Sequence, residues 1–340
     1  MLKRTFATLA AVLIATSSPS AWSQVKDIAW GTSPVGTTGH KALVVLADVL
    51  NKEMPNYRIT VQPTPGAVIT VKGYATGEYA GFYGSDIAFY EFANDIDRFK
   101  GFKANAKRQP MQSFWAYTLE VGTAVHSRNK DKIKTWADLS GKRVFTGPLP
   151  FDVRAHLERA YRALGVKFQY VNVDLSTVGS LAESGSIDAF CIYTSAETVP
   201  PPWLAEASLA ADWAVLNPSA SEIVSLKEKG FPTTEIKPAA FNKNVHADKV
   251  ILFPFFYGFH VGPEVPESDV YKMLTLIEKN TATLAKADSS YGQIAKDMAS
   301  MQRRGVESSV EFVPIHPGLA RYMREKGVWD AKWDSKVATK

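Results

Sequence analysis

Cysteine is nearly absent: Cys191 stands alone among 340 residues, so no intramolecular disulfide can form and the core itself must hold the fold. It lies in the apolar run Ala189-Phe190-Cys191-Ile192 without a basic neighbour to stabilise a thiolate, and reads as a small buried hydrophobe. Long apolar runs are scarce beyond the N-terminus. The longest, Val250 to Val261, is interrupted by Pro254, Gly258 and His260 and predicts a buried strand rather than a membrane span. Despite a formal net charge of +5, no basic tract is present to follow a nucleic-acid backbone. Lys103, Lys107 and Arg108 read as a solvated loop face, so no nucleic-acid partner is expected. Repeats and low-complexity stalks are missing as well, which argues against an adhesin.

Catalytic constellations fail on spacing. Gly31 to Thr38 has the look of a phosphate loop, but Thr37 follows Gly36 where a lysine is required. Gly36 and Gly39 do not complete a dinucleotide fingerprint, and neither Gly-x-Ser-x-Gly nor His-Glu-x-x-His occurs. The histidines His40, His126, His156, His246, His260 and His316 are scattered without metal-ligand spacing. Asp86, Glu91, Asp95 and Asp97 form an acidic cluster whose spacing fits a solvated helical face. No catalytic residue, metal or cofactor is predicted, and an enzyme is not expected.

What is present begins with Met1-Leu2-Lys3-Arg4, an apolar stretch from Phe6 to Ala15, and the small-x-small pattern Ala21-Trp22-Ser23. That layout predicts a cleaved secretory signal over residues 1–23 and a periplasmic mature chain from Gln24. The full chain is 46% hydrophobic and 21% charged, so the part that follows can bury a substantial core, and its length suggests about two domains.

The mature chain alternates strand and helix, and one arrangement occurs twice. Ile28–Trp30, a loop to Gly39, a helix over 40–54, a strand over 58–62, a helix over 68–75 and a strand over 79–83 lead to the polar loop Gly84-Ser85-Asp86. The second half repeats the plan. A strand at 142–145, the loop 146–152, a helix over 153–164, a strand over 168–173, a helix over 178–183 and a strand over 187–192 lead to Tyr193-Thr194-Ser195. In an open parallel sheet, ligands sit outside the carboxyl ends of the strands, so four polar loops would surround one cleft between two lobes. The helix starts after Gly39 and Asp152 would present free N–H groups to an anion there. Two extended segments, 114–128 and 250–261, supply the crossings between lobes. Helices over 268–286 and 317–326 would complete the first lobe or brace the hinge.

Four segments make the chain resemble the solute-receptor subunits of TRAP transporters of the TAXI group. They are Gly31-Thr32-Ser33-Pro34-Val35-Gly36-Thr37, Gly84-Ser85-Asp86-Ile87-Ala88, Trp136-Ala137-Asp138-Leu139-Ser140-Gly141-Lys142-Arg143-Val144, and Ile315-His316-Pro317-Gly318-Leu319-Ala320-Arg321-Tyr322 with Glu325-Lys326-Gly327. The resemblance implies an α/β, two-lobed type II periplasmic-binding-protein fold, each lobe a mostly parallel sheet flanked by helices. It also implies capture of a small carboxylate by lobe closure and delivery to membrane subunits of a TRAP transporter by a monomeric receptor. Residues 24–118 with 255–340 would form lobe one, and 119–254 lobe two.

In that picture Ser33, Thr37 and Ser85 supply hydrogen bonds from lobe one. Lobe two departs from the resemblance. Pro150-Phe151-Asp152-Val153 stands where many members carry Gly-Ser-Gly-Thr, and Thr194-Ser195-Ala196 replaces a Gly-x-Pro stretch. Arg154 could contact a ligand carboxylate in bidentate fashion, or Asp152 could neutralise Arg154 as a helix cap. Tyr83, Tyr117, Phe151 and Tyr193 are candidates for the pocket wall, although aromatics are more often core. Two alternatives remain at this level: an orphan binding protein serving a sensor, and an exported enzyme of the same fold.

Overall fold

The computed structural model describes residues 25–339. The expected signal segment, residues 1–23, lies outside the described residues. Among the latter, no helix is long and apolar enough to cross a membrane.

The first half is built from β1 (Lys26–Thr32), α1 (Thr38–Glu53), β2 (Tyr57–Pro63), α2 (Ala67–Thr76), β3 (Gly81–Ser85) and α3 (Asp86–Asn94). Its strands lie in the order β2-β1-β3, all parallel. After β4 (Trp115–His126), the second half follows with β5 (Arg143–Phe145), α4 (Asp152–Ala163), β6 (Gln169–Tyr170), α5 (Val178–Ser184) and β7 (Ala189–Ser195). Its order is β6-β5-β7, again parallel. The duplicated plan is therefore real: each lobe puts its first strand in the middle. α6 (Pro202–Ala210), β8 (Trp213–Leu216), α7 (Ala220–Glu228) and β9 (Thr234–Ile236) extend the second lobe.

Two strands of twelve residues each join the lobes. β10 (Val250–Val261) pairs antiparallel with β3 at one end and with β9 at the other, and runs antiparallel to β4 between them. β4 in turn pairs with β7 and β8. The path β2-β1-β3-β10-β4-β7-β5-β6 crosses the molecule as one sheet, flanked by helices, in a two-lobed periplasmic-binding-protein fold.

Local sequence explains the elements that aim at the cleft. The Thr37 side chain caps α1, whose stripe Leu43, Leu46, Ala47 and Leu50 is buried against the sheet. Burying each such side chain is worth about 1.5–3 kcal/mol. Ser85 caps α3 by accepting from the Ala88 N–H at 3.0 Å. β3 therefore passes directly into α3, and the expected loop 84–86 is replaced by a strand end, a cap and a first helical residue. Likewise Tyr193-Thr194-Ser195, expected as a loop, is the end of β7.

The C-terminal region differs from expectation. The helix expected over 268–286 breaks at Asn280 into α8 (Glu267–Lys279) and α9 (Thr281–Ala287). A helix that the periodicity did not suggest, α10 (Gly292–Ser309), lies against β4. Its Gln302 accepts from the Trp115 N–H at 2.8 Å and donates to the Trp115 carbonyl at 2.7 Å. Gly305 lies so close to the Trp115 indole that a Cβ there would come within 2.2 Å of the ring. With α11 (Pro317–Glu325), these helices brace α1 and the crossing strands: Tyr291 reaches back to the Ala42 carbonyl, and Gln293 bonds Thr118.

Candidate functional site

The lobes meet over a cavity of about 40 Å³ at the start of α1. Of the residues expected from sequence, Ser33, Thr37, Tyr83, Phe151, Asp152 and Tyr193 line it. Thr38, Gly39 and Tyr257 line it as well and were not anticipated. Ser33 Oγ and Thr37 Oγ1 are 2.6 Å apart, so the loop folds both hydroxyls onto the first turn of α1. Gly39 is required by this packing: a Cβ would fall 2.6 Å from Ser33 Oγ and from the Tyr83 ring. The Tyr83 ring stacks on Tyr257 with centroids 4.3 Å apart, and its hydroxyl is 2.7 Å from that of Tyr117. Tyr117 thus stands behind the wall rather than in it. Burial pushes the Tyr83, Tyr117 and Tyr257 phenols up, so all three are neutral hydrogen-bonding groups.

Asp152 is the centre of the lobe-two side. It occupies the first turn of α4, fully buried, and its carboxylate reaches across into lobe one. Ser85 Oγ donates to it at 2.5 Å, Tyr257 OH at 2.7 Å, and the Arg98 guanidinium pairs with its other oxygen. Ser195 Oγ adds a further bond between the lobes, to Thr38 Oγ1 at 3.1 Å. Arg98 was missed by the sequence reading because no local pattern links it to a position 54 residues away.

The expected capping of Arg154 by Asp152 is not what the structure shows. Arg154 does not line this cavity, and Asp152 is not its partner. Its Nε donates to Glu158 at 2.7 Å and its guanidinium lies 3.7 Å above the Tyr170 ring. The spacing i, i+4 on one helix face brings Glu158 to Arg154, whereas Asp152 points away toward lobe one. The acidic cluster is also corrected: Glu91 is fully buried and accepts from Arg98 Nε at 2.7 Å, so it is no solvated face. Burial pushes Asp86 up to about 7, against the pull of the Phe256 and Ile87 backbone N–H groups.

Thr194 is buried beneath the cleft and donates to Glu120 at 2.6 Å. Glu120, on β4, also accepts from Thr118 and from the Glu197 N–H at 2.9 Å. Burial pushes its carboxyl up to about 8. It fixes the turn after β7, where Ala196 and Glu197 take φ values of 52° and 65° that side chains seldom adopt. Among the described residues, no group of three or more histidine, cysteine or acidic side chains could hold a metal ion. The arrangement can hold a small polar group by hydrogen bonds and close over it.

No curated protein matches the chain significantly. Among solved structures, it is similar to the periplasmic aliphatic sulphonate binding protein SsuA from Escherichia coli, with 16% identity, 88% of this chain and 90% of that one covered, and a TM-score of 0.42. It is similar to the probable amino-acid ABC transporter extracellular-binding protein ytmK from Bacillus subtilis, with 14% identity, 79% and 98% covered, and a TM-score of 0.46. A Xanthomonas citri protein bound to a chloride ion is 10% identical over 88% and 99%, with a TM-score of 0.47. A family model matches residues 30–327, and the chain belongs to the NMT1-like family of extracytoplasmic solute-binding proteins.

Proposed function

We propose that this chain is the periplasmic receptor of a TRAP-type secondary transporter, which captures a small organic acid by lobe closure and delivers it to membrane subunits. The observation that carries the reading is the closed cleft. A hydroxyl-lined start of α1 faces it from lobe one, and lobe two closes it by docking Asp152 into lobe-one donors. The four sequence segments shared with TAXI-group receptors support the transporter assignment. A solute carboxylate would sit on the free N–H groups of α1 beside Ser33, Thr37 and Thr38, where the helix end favours negative charge. Arg98, shared between Asp152 and Glu91, offsets part of the negative charge that the latch turns toward the bound acid. Residues 24–118 with 255–340 move as one lobe and 119–254 as the other, with the hinge in β4 and β10. The mature chain acts as a monomer without catalysis.

Isothermal titration against dicarboxylates, 2-oxoacids, aromatic acids and amino acids tests this, together with mass spectrometry of solute released on denaturation. Binding of at least one acid class is expected. No binding and no trapped solute would sink the proposal. A neighbouring gene for a many-span membrane protein separates the transporter role from that of a sensor partner.

A further inference from the structure

Arg98, which pairs with Asp152 across the lobes, also lines a separate cavity of about 270 Å³. Lobe one supplies Glu91 and Asp97 to it beside Arg98, and α4 of lobe two supplies Arg154, Glu158, Arg159 and Arg162. Most of these charges are matched. Glu158 accepts from Arg154 Nε and from Thr146 Oγ1, each at 2.7 Å, and Arg162 lies 3.7 Å from Asp97 at the exposed rim. Arg159 is different. Its guanidinium is held against aromatic rings of both lobes, 4.2 Å from Tyr90 and 5.9 Å from Phe231, and among the described residues it has no ion pair or hydrogen bond. Its N–H donors are therefore unfilled. Asp86, the buried acid that feels its charge, is raised to about 7 by burial and so is half protonated at neutral pH.

A second observation concerns the lobe-one wall. Arg98 Nε donates to Glu91 Oε2 at 2.7 Å, yet the other arm of that fork is unmade. Arg98 Nη2 and Glu91 Oε1 are both buried without a hydrogen-bond partner, and Glu91 is fully buried. An unfilled donor beside an unfilled acceptor costs free energy, and the pair matches a ligand centre that carries both a charged oxygen and a hydroxyl. Sulfate and carboxylates have no such hydroxyl, and a phosphate monoester loses its own above about pH 6. Hydrogen phosphate keeps one at neutral pH. We propose that this cavity binds inorganic hydrogen phosphate, with its O–H donated to Glu91 and its charged oxygens facing Arg98 and Arg159. Residues of both lobes line the cavity, so bound phosphate ties them together. The site is separate from the solute cleft and does not rest on the receptor reading.

The test is isothermal titration of the full mature protein with inorganic phosphate, sulfate and glycerol phosphate in turn, at fixed ionic strength and about pH 7.5, where the monoester is a dianion. Phosphate is expected to bind about tenfold or more tightly than either rival, the effect of one charge-assisted hydrogen bond. Arg159→Gln should weaken phosphate binding about tenfold by removing such a bond. Glu91→Gln, whose amide can turn its N–H outward, should erase the preference over sulfate. Melting temperatures of both variants are checked against the parent chain, and Arg159→Gln alone decides if Glu91→Gln does not fold. The proposal is overturned if phosphate does not bind, binds no better than sulfate, or binds Arg159→Gln as well as the parent. Displacement of phosphate by an acid that titration shows to bind would place it in the solute cleft and overturn the proposal too. If phosphate binds as expected and no acid of any class does, the receptor reading falls and this inference stands.

Discussion

The two lobes share a plan and differ in how they meet the cleft. β1 pairs with β2 over seven residues, while β5 pairs with β6 over two. Lobe one starts two of its helices with hydroxyl caps, Thr37 on α1 and Ser85 on α3. Lobe two starts α4 with Phe151, which offers no side-chain cap, followed by the buried acid Asp152. Lobe one is thus a set of donors fixed by its own helices, and lobe two supplies the acceptor that docks into them. A duplicated fold has been divided into a receiving half and a closing half, and Phe151 and Asp152 at the start of α4 are the structural basis of that division.

The comparison can be broken most severely at Asp152. Asp152→Ala leaves Arg98 without its partner across the cleft and should cost the closed state about 3 kcal/mol or more, as for a buried ion pair that loses one member. Small-angle scattering should then report an expanded molecule, while Arg154→Ala leaves the scattering curve unchanged. Equal expansion in both variants would add Arg154 to the groups that hold the lobes closed.

Glycines on the two sides separate contact from conformation. Gly39→Ala puts a methyl group against Ser33 and Tyr83 and should cost about 1–3 kcal/mol of overpacking, together with at least a tenfold loss of acid affinity in titration. Gly147→Ala, at φ +117° with its nearest neighbour at 3.5 Å, should cost about 1–2 kcal/mol through backbone strain, seen in urea unfolding.

Stability should depend on pH through both lobes. Asp86 and Glu120 have carboxyl groups raised in the folded chain, to about 7 and about 8, chiefly by burial. The folded state therefore holds more protons than the unfolded state above about pH 4, and stability falls as pH rises from there to about 8. Asp152 and Arg159 act on Asp86 from lobe two, and Glu197 acts on Glu120. Thermal melts from pH 5 to about pH 9 should show a decline of several degrees, flattened in part by Glu120→Gln and in part by Asp86→Asn. The smallest effect concerns the caps: Thr37→Ala should lower stability by about 1 kcal/mol in urea unfolding, whereas Phe151→Ser should not lower it by a comparable amount.

Much of this was legible in the chain because it is local. Strand–loop–helix order and the apolar stripe of α1 are written within a few residues of where they act. Ser33 and Thr37, which the resemblance implied, come together around one cavity with Tyr83, Phe151, Asp152 and Tyr193, which stand in or beside the loops expected at strand ends. What escaped was pairing at long range. Arg98 with Asp152 and Gln302 with Trp115 join residues from separate elements, and nothing in either neighbourhood marks the other. α10 was hidden for a further reason: Gly292 and Gly305 weaken its helical signal, and Gly305 is there for the Trp115 ring rather than for the helix. The partner of Arg154 was misread: Asp152 drew notice as its neighbour, while Glu158 one turn later is the acid that pairs with it.

The most direct measurement is a crystal structure of the protein grown with an acid that titration shows to bind. The account predicts carboxylate density at the start of α1, within hydrogen-bonding distance of Ser33, Thr37 or Thr38, with Asp152 still held by Ser85, Tyr257 and Arg98. An acid bound instead among the Arg154, Arg159 and Arg162 side chains, with the start of α1 bare, would contradict it.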